Sequence, residues 1–187
     1  YAERRIGLVG DNFTKGKILE KLPGSYAIGH NRYSTAGESI LRNVQPLFAE
    51  FGFGGLAIGH NGNMTNAFTL RKKLVERGCI FQSTLDTEII VHQIAISQFS
   101  QVLDRMIDAL KQIQGAYSLV AMTENMLIGV RDPRGVRPLV LGIIDGAHIL
   151  CSETCALDII GAKYIRDIEP GEIIVISKTF LAKSSLE

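Results

Sequence analysis

The chain has 187 residues, 46% hydrophobic and 21% charged, with 20 basic against 19 acidic side chains for a formal net charge of +1. This length can bury one sizeable core, and the composition is that of an ordered globular chain, which excludes disorder as its main state. Near-neutral charge, broken only by the short basic cluster Arg71-Lys72-Lys73, carries no nucleic-acid footprint, and no apolar stretch is long enough to span a bilayer.

The expected partners therefore include no nucleic acid and no membrane. The opening Tyr1-Ala2-Glu3-Arg4-Arg5 lacks the apolar segment of a signal peptide, so a cytoplasmic location is expected. Cys79, Cys151 and Cys155 make an odd count without zinc-type spacing. They read as small buried hydrophobes. Because the chain does not open on methionine and closes on Ser184-Ser185-Leu186-Glu187, it is read as a fragment.

In chain order, short apolar runs at 6–9, 26–30 and 56–60, separated by Gly, Pro and Asn, predict strands. Phe68, Leu70, Leu74 and Val75 then predict a helix over 65–77, with Gly78 as its C′ stop. A second helix is expected from Asp86 to about Ser97. Its Ile89, Ile90, Val91, Ile94, Ala95 and Ile96 make it apolar on most sides and hence buried.

A third helix, with Ser100 as N-cap, shows the stripe Leu103, Met106, Ile107, Leu110 and Ile113 before Gly115. Strands follow at 116–122, 126–130, 139–144 and 148–151. The turn Asp132-Pro133-Arg134-Gly135 has the type I signature. A short helix after Ser152 and strands near 163–167 and 172–177 complete the pattern. Short links between the later strands leave no room for parallel crossovers, so layered antiparallel sheets are expected. No GxGxxG or GxxxxGK[ST] string is present, and a Rossmann or phosphate-loop fold is disfavoured.

The string Ala-Ile-Gly-His-Asn occurs twice, at 27–31 and 57–61, and each copy opens into different polar residues. Arg32 offers a planar guanidinium suited to clamping a carboxylate; the alternative is a plain inter-strand ion pair. Asn61-Gly62 reads as a tight turn, which would turn the Gly62 N–H and the Asn61 amide towards one point, as an oxyanion requires. Asp86 could cap its helix or accept a substrate ammonium. His30, His60, His92 and His148 lack metal-ligand spacing, although His30, His60 and Asp86 could in principle form a metal site. Cys155 could be a nucleophile at a helix start, but buried packing is the favoured reading. Arg137, Glu153 and the Arg131-Asp132 pair read as structural ion partners.

Longer strings carry a family resemblance. They are His30-Asn31-Arg32-Tyr33-Ser34-Thr35-Ala36-Gly37, Asn43-Val44-Gln45-Pro46, His60-Asn61-Gly62-Asn63, Asp86-Thr87-Glu88, Gly115-Ala116-Tyr117-Ser118-Leu119, the segment 131–139 and Ser152-Glu153-Thr154-Cys155-Ala156-Leu157-Asp158. In order and over almost the whole chain, they resemble the glutaminase (class II glutamine amidotransferase) domain of the amidophosphoribosyltransferases. The resemblance implies an α+β fold: an N-terminal-nucleophile hydrolase-like, four-layer αββα sandwich of two antiparallel sheets, truncated at its N-terminus. Residues 1–187 would be a partial type 2 glutamine amidotransferase domain, without the upstream nucleophile segment or the downstream phosphoribosyltransferase domain.

The implied chemistry is attack of an N-terminal cysteine thiolate on the glutamine side-chain amide. Arg32, helped by Thr35, would hold the glutamine α-carboxylate; Asn61 and Gly62 would form the oxyanion hole; Asp86 would receive the α-ammonium. Ammonia would then pass to phosphoribosylpyrophosphate, giving 5-phosphoribosylamine in the first committed step of purine biosynthesis. No cofactor is expected within this chain; magnesium would belong to the phosphoribosyltransferase domain, and an iron-sulfur cluster is left open. A homo-oligomer is expected. The nucleophilic cysteine and the upstream His-Arg-Gly-Gln motif are absent, so this span alone is expected to be inactive. Leu85 stands where the family commonly has serine. The alternatives are a nucleophile-free, glutamine-binding regulatory module and a metal hydrolase using His30, His60 and Asp86.

Overall fold

The computed structural model describes residues 1–13, 18–32 and 40–186. A short helix α1 (Val9–Phe13) precedes strands β1 (Leu47–Phe51) and β2 (Gly54–Met64). Helices α2 (Ala67–Glu76), α3 (Thr87–Ile96) and α4 (Val102–Leu110) follow without interruption by strands. The chain then runs through β3 (Gly115–Met122), β4 (Leu127–Arg131), β5 (Val140–Ile144), β6 (Ala147–Cys151), α5 (Thr154–Ile160), β7 (Lys163–Asp167), β8 (Glu172–Ile176) and β9 (Leu181–Ser185).

Two antiparallel sheets result. The larger has the order β1-β2-β3-β4-β8-β9 and the smaller β6-β5-β7. Alternation along each strand assigns the faces. Leu56 and Ile58 on β2, Leu119 and Ala121 on β3, Ile128 and Val130 on β4, and Ile173 and Val175 on β8 share a core with Leu74, Ile90, Ile94, Met106 and Leu110 of the helices. The opposite face sends Ile174 and Ile176 towards Leu139 and Leu141 of the smaller sheet. Beyond that sheet, the buried Leu157 of α5 fills the space over Gly142. The layers are therefore helix, sheet, sheet and helix, as the resemblance implies.

Local chemistry sets the helix ends. At the end of α2, Gly78 takes φ +89, a conformation strained for any residue with a Cβ. Its N–H donates to Val75 O at 2.9 Å, and Cys79 N–H donates to Leu74 O at 2.9 Å, closing a Schellman motif. Helix α3 is buried along Ile89, Ile90 and Ile94, as its apolar sequence predicts. Helix α4 begins later than expected. Its N-cap is Gln101, without a side-chain cap bond, and not Ser100. The expected stripe still packs: Met106, Leu110 and Ile113 are buried, and Leu103 and Ile107 are partly so.

Two expected strands differ. Residues 6–9 bend instead, because Gly7 sits at φ +106 and Asn12 Nδ2 donates to both Leu8 O and Ile6 O, winding the chain into α1. Residues 26–30 belong to no ladder among the described residues, although their apolar run reads as a strand.

The turn after β4 is as predicted: Gly135 N–H donates to Asp132 O at 2.8 Å, and Gly135 has φ +62. The Arg131-Asp132 pairing is corrected. The wholly buried Asp132 carboxylate accepts N–H bonds from Tyr117, Arg134, Val136 and Arg137 at 3.0–3.3 Å. The Arg131 guanidinium donates to the carbonyls of Arg137, Ile168 and Gly135. Each side chain thus serves as an organiser of backbone. Asp132→Ala, which strands those N–H groups, is expected to cost about 3 kcal/mol of stability. The check is the denaturant midpoint, compared with the exposed Arg134→Ala, for which a change within about 0.5 kcal/mol is expected.

Candidate active site

Strand β1 stops short of its partner. Its register with β2 runs from Phe51↔Gly54 to Leu47↔Ile58, while β2 continues to Met64 beside β3. Beyond Ile58, one edge of β2 has no strand neighbour among the described residues, and the N–H groups of alternate residues point to that edge. Side chains take two of them. Gln45 Oε1 accepts His60 N–H at 2.7 Å while Gln45 Nε2 donates back to His60 O at 3.4 Å. Asp86 Oδ2 accepts Met64 N–H at 3.2 Å. Gly62 lies between them, so its N–H points to the same edge.

Asn61-Gly62 is therefore not a tight turn. Both residues lie within β2, paired with Ser118 and Tyr117 of β3. The glycine is required for a different reason: a Cβ on Gly62 would sit 2.1 Å from Ala116 O and 2.7 Å from Tyr117 Cα, at φ +156. Gly115, paired with Met64 at the end of the same ladder, is similarly confined, since a Cβ there would meet Asn63 O at 2.2 Å. The register therefore directs the Gly62 N–H to a strand edge and not out of a turn. Asn61 lies one residue out of phase with His60, so its side chain leaves the opposite face of β2. There it lines a cavity of about 100 Å³ between the two sheets, with Gly29, His30, Gly59, Ser118 and Cys151.

Asp86 is the N-cap of α3 by position, but its side chain makes no cap bond. It turns back towards β2, with Oδ1 3.3 Å from His60 Nδ1. Burial alone would raise its pKa; the hydrogen bond and charge of His60 and the N–H groups of Met64 and Thr87 outweigh this and hold it below the usual carboxylate value. The side chain keeps 24% exposure. It can accept further donors.

The loop before Asp86 is tied at several points. Asn43, 1% exposed, donates to Thr84 Oγ1 at 3.0 Å and accepts Thr84 N–H at 3.2 Å. Glu88 accepts from Gln82 N–H, Ser83 N–H and Ser83 Oγ at 2.7–2.8 Å. Leu85, where the family commonly has serine, is buried, and its N–H bonds Ser83 Oγ, so the local capping survives the change.

Arg32 is partly exposed, on the segment that carries His30. The His30 ring packs beside Gly59, where a Cβ would lie 3.6 Å from Nδ1. Burial, then the charges of His60 and Arg32, push its pKa down to about 4. Arg32, His30 and His60 therefore share one electrostatic neighbourhood. Thr35 lies outside the described residues.

Among the described residues, no three His, Cys, Asp or Glu side chains group as metal ligands, and His60 and Asp86 bond each other instead. A larger cavity of about 370 Å³ forms at the hairpin tips around Tyr26, Glu124 and Lys178, and none of the expected site residues line it. The cysteines differ from expectation: Cys155 is exposed and Cys79 and Cys151 are half-buried, all three as free thiols. Cys155 lies at the solvent-facing start of α5, so close packing cannot describe it.

Sequence reasoning missed Gln45, Asn43 and Glu88 as parts of the site, and left His60 a generic structural residue. A signal was present in Asn43-Val44-Gln45-Pro46. Two amides beside a proline, which cannot extend a ladder, suggest side chains that replace strand pairing.

The αββα sandwich thus carries a backbone N–H directed to one strand edge beside a carboxylate whose pKa is held down, a hydrogen-bond donor and an anionic acceptor at one place. Residues 30–158 match the glutamine amidotransferase domain family, and the chain belongs to it. It is 59% identical over 175 residues to an amidophosphoribosyltransferase of Rhizobium etli, with 94% of this chain and 35% of that protein covered. It is 52% identical to the chloroplastic amidophosphoribosyltransferase 1 of Arabidopsis thaliana, covering 92% of this chain and 31% of that protein. The glutamine phosphoribosylpyrophosphate (PRPP) amidotransferase of B. subtilis complexed with ADP and GMP superposes with a TM-score of 0.90 at 40% identity, over 97% of this chain and 39% of that one. The chain spans about a third of the length of the curated relatives it matches. Among the described residues, no helix is long and apolar enough to cross a membrane.

Proposed function

We propose that this chain is the glutamine-binding and ammonia-releasing part of an amidophosphoribosyltransferase. The observation that carries this reading is the open edge of β2, where the Gly62 N–H points outward between two side-chain-occupied donors. Such an N–H suits the oxyanion that forms when a nucleophile adds to a glutamine side-chain amide, and the Asn61 amide is assigned to the same oxyanion on the resemblance. The Asp86 carboxylate, with acceptor sites to spare, suits the α-ammonium, and the Arg32 guanidinium suits the α-carboxylate.

Thr35 is assigned to the carboxylate on the resemblance alone. The whole protein would pass ammonia to phosphoribosylpyrophosphate, giving 5-phosphoribosylamine at the head of purine biosynthesis. We read it as a cytoplasmic homo-oligomer of the N-terminal-nucleophile type. Any magnesium would belong to the phosphoribosyltransferase part of the whole protein.

The test is glutamate release by the whole protein with phosphoribosylpyrophosphate present. The expected result is glutamate and phosphoribosylamine formed in equal amounts. Glutamine binding without glutamate release would identify the regulatory module instead, and the absence of glutamine binding would overturn both readings.

A further inference from the structure

We propose that His60 is a positioning residue for glutamine: by donating from Nδ1 to Asp86 it fixes the carboxylate at the open edge of β2 in the orientation that receives the substrate ammonium. This rests on the reading of Asp86 as the ammonium acceptor.

The two Asp86 oxygens are anchored separately, both from β2. Oδ2 takes the Met64 N–H at 3.2 Å, and Oδ1 lies 3.3 Å from His60 Nδ1. One anchor would leave the carboxylate free to rotate about its terminal torsion, which is broad for aspartate. Two anchors on opposite oxygens remove that freedom and aim the remaining lone pairs outward. Thr87 Oγ1, 3.2 Å from the same ring nitrogen, shares this Nδ1–H as a second acceptor on the α3 side.

The rest of the ring argues that this contact is its purpose. The His60 side chain is 1% exposed, and its Nε2 is buried with no hydrogen-bond partner among the described residues. A buried polar atom left unpaired is destabilising. An aliphatic side chain would fill the same space beside Leu56 and Ile58 without that penalty, so packing does not account for a histidine here. What a histidine adds is the Nδ1–H.

The groups in contact with the ring are Asp86 and Thr87 at the start of α3, and His30 on the 26–32 segment is coupled to it through charge. Donation from Nδ1 orients the Asp86 carboxylate and leaves its outer lone pairs to the ammonium.

Asparagine can place an amide N–H where histidine has Nδ1, whereas the longer glutamine places it near Nε2. In the whole protein, His60→Leu and His60→Gln are expected to raise the glutamine KM about tenfold with kcat changed by less than about twofold, and His60→Asn is expected to stay within about threefold of the parent KM. In His60→Leu, the acid limb of kcat/KM is expected to move to higher pH, because Asp86 loses the hydrogen bond that holds its pKa down. If His60→Leu fails to fold, the Asn and Gln variants decide, and equal KM values for those two would overturn the proposal. An unchanged KM in His60→Leu, with a raised KM in Asp86→Asn, would also overturn it. An unchanged KM in both would instead remove the reading of Asp86.

Discussion

Asp86→Asn is expected to lower glutamine-dependent turnover of the whole protein by about 30- to 100-fold, while ammonia-dependent turnover stays within about twofold. Losing one partner of a partly buried, hydrogen-bonded charge pair costs about 2–3 kcal/mol, and each 1.4 kcal/mol or so is a factor of ten. The asparagine keeps the shape of the side chain and can still accept the Met64 N–H, so the strand edge stays intact. What disappears is the charge that an ammonium needs. Free ammonia bypasses the glutamine site, so comparing the two nitrogen sources isolates that loss. Equal falls in both assays would show that Asp86 supports the fold and does not receive the substrate.

The pH dependence follows from the same carboxylate. Its pKa in the folded chain is lowered below the unfolded value, so its contribution to stability is present above the unfolded pKa and is lost as pH falls through the folded one. Acid titration of unfolding should therefore be shallower for Asp86→Asn than for the parent.

Gly62→Ala should be the most damaging single methyl at any glycine among the described residues. The added carbon would meet Ala116 O at 2.1 Å and Tyr117 Cα at 2.7 Å, both backbone atoms that cannot swing aside. Relief requires β2 and β3 to separate where they hold the centre of the larger sheet. A loss of about 4 kcal/mol or more is expected, which exceeds ordinary core substitutions. Thermal unfolding reads it directly. Gly52→Ala, with nothing within 4 Å of the added carbon, is the control and should leave the transition nearly unmoved. A native-like midpoint for Gly62→Ala would mean that the two strands are not packed as described.

Much of the scaffold could be read from periodicity. The helices α2, α3 and α4 and the strands after Gly115 reflect local spacing of apolar residues, which packing then reinforced. The failures have physical causes. Residues 6–9 and 26–30 carry strand-like composition, but a strand exists only with a partner, and partnership is not written in a short run. Asn61-Gly62 carries the strongest hairpin signal, yet the ladder to β3 overrides it, and the glycine answers a demand from Ala116 more than fifty residues away. Asp86 was found by motif, but its link to His60 was not, because that contact joins a strand to a helix start.

Gln45 and Asp86 have a further effect where β1 gives out. An intruding strand from another molecule docks by finding every second amide free in a row, and here the amides on either side of Gly62 are already engaged. Such a margin resists aggregation yet still admits a single small acceptor. The protein thereby tolerates an unfinished sheet border at the place where its chemistry is proposed to occur.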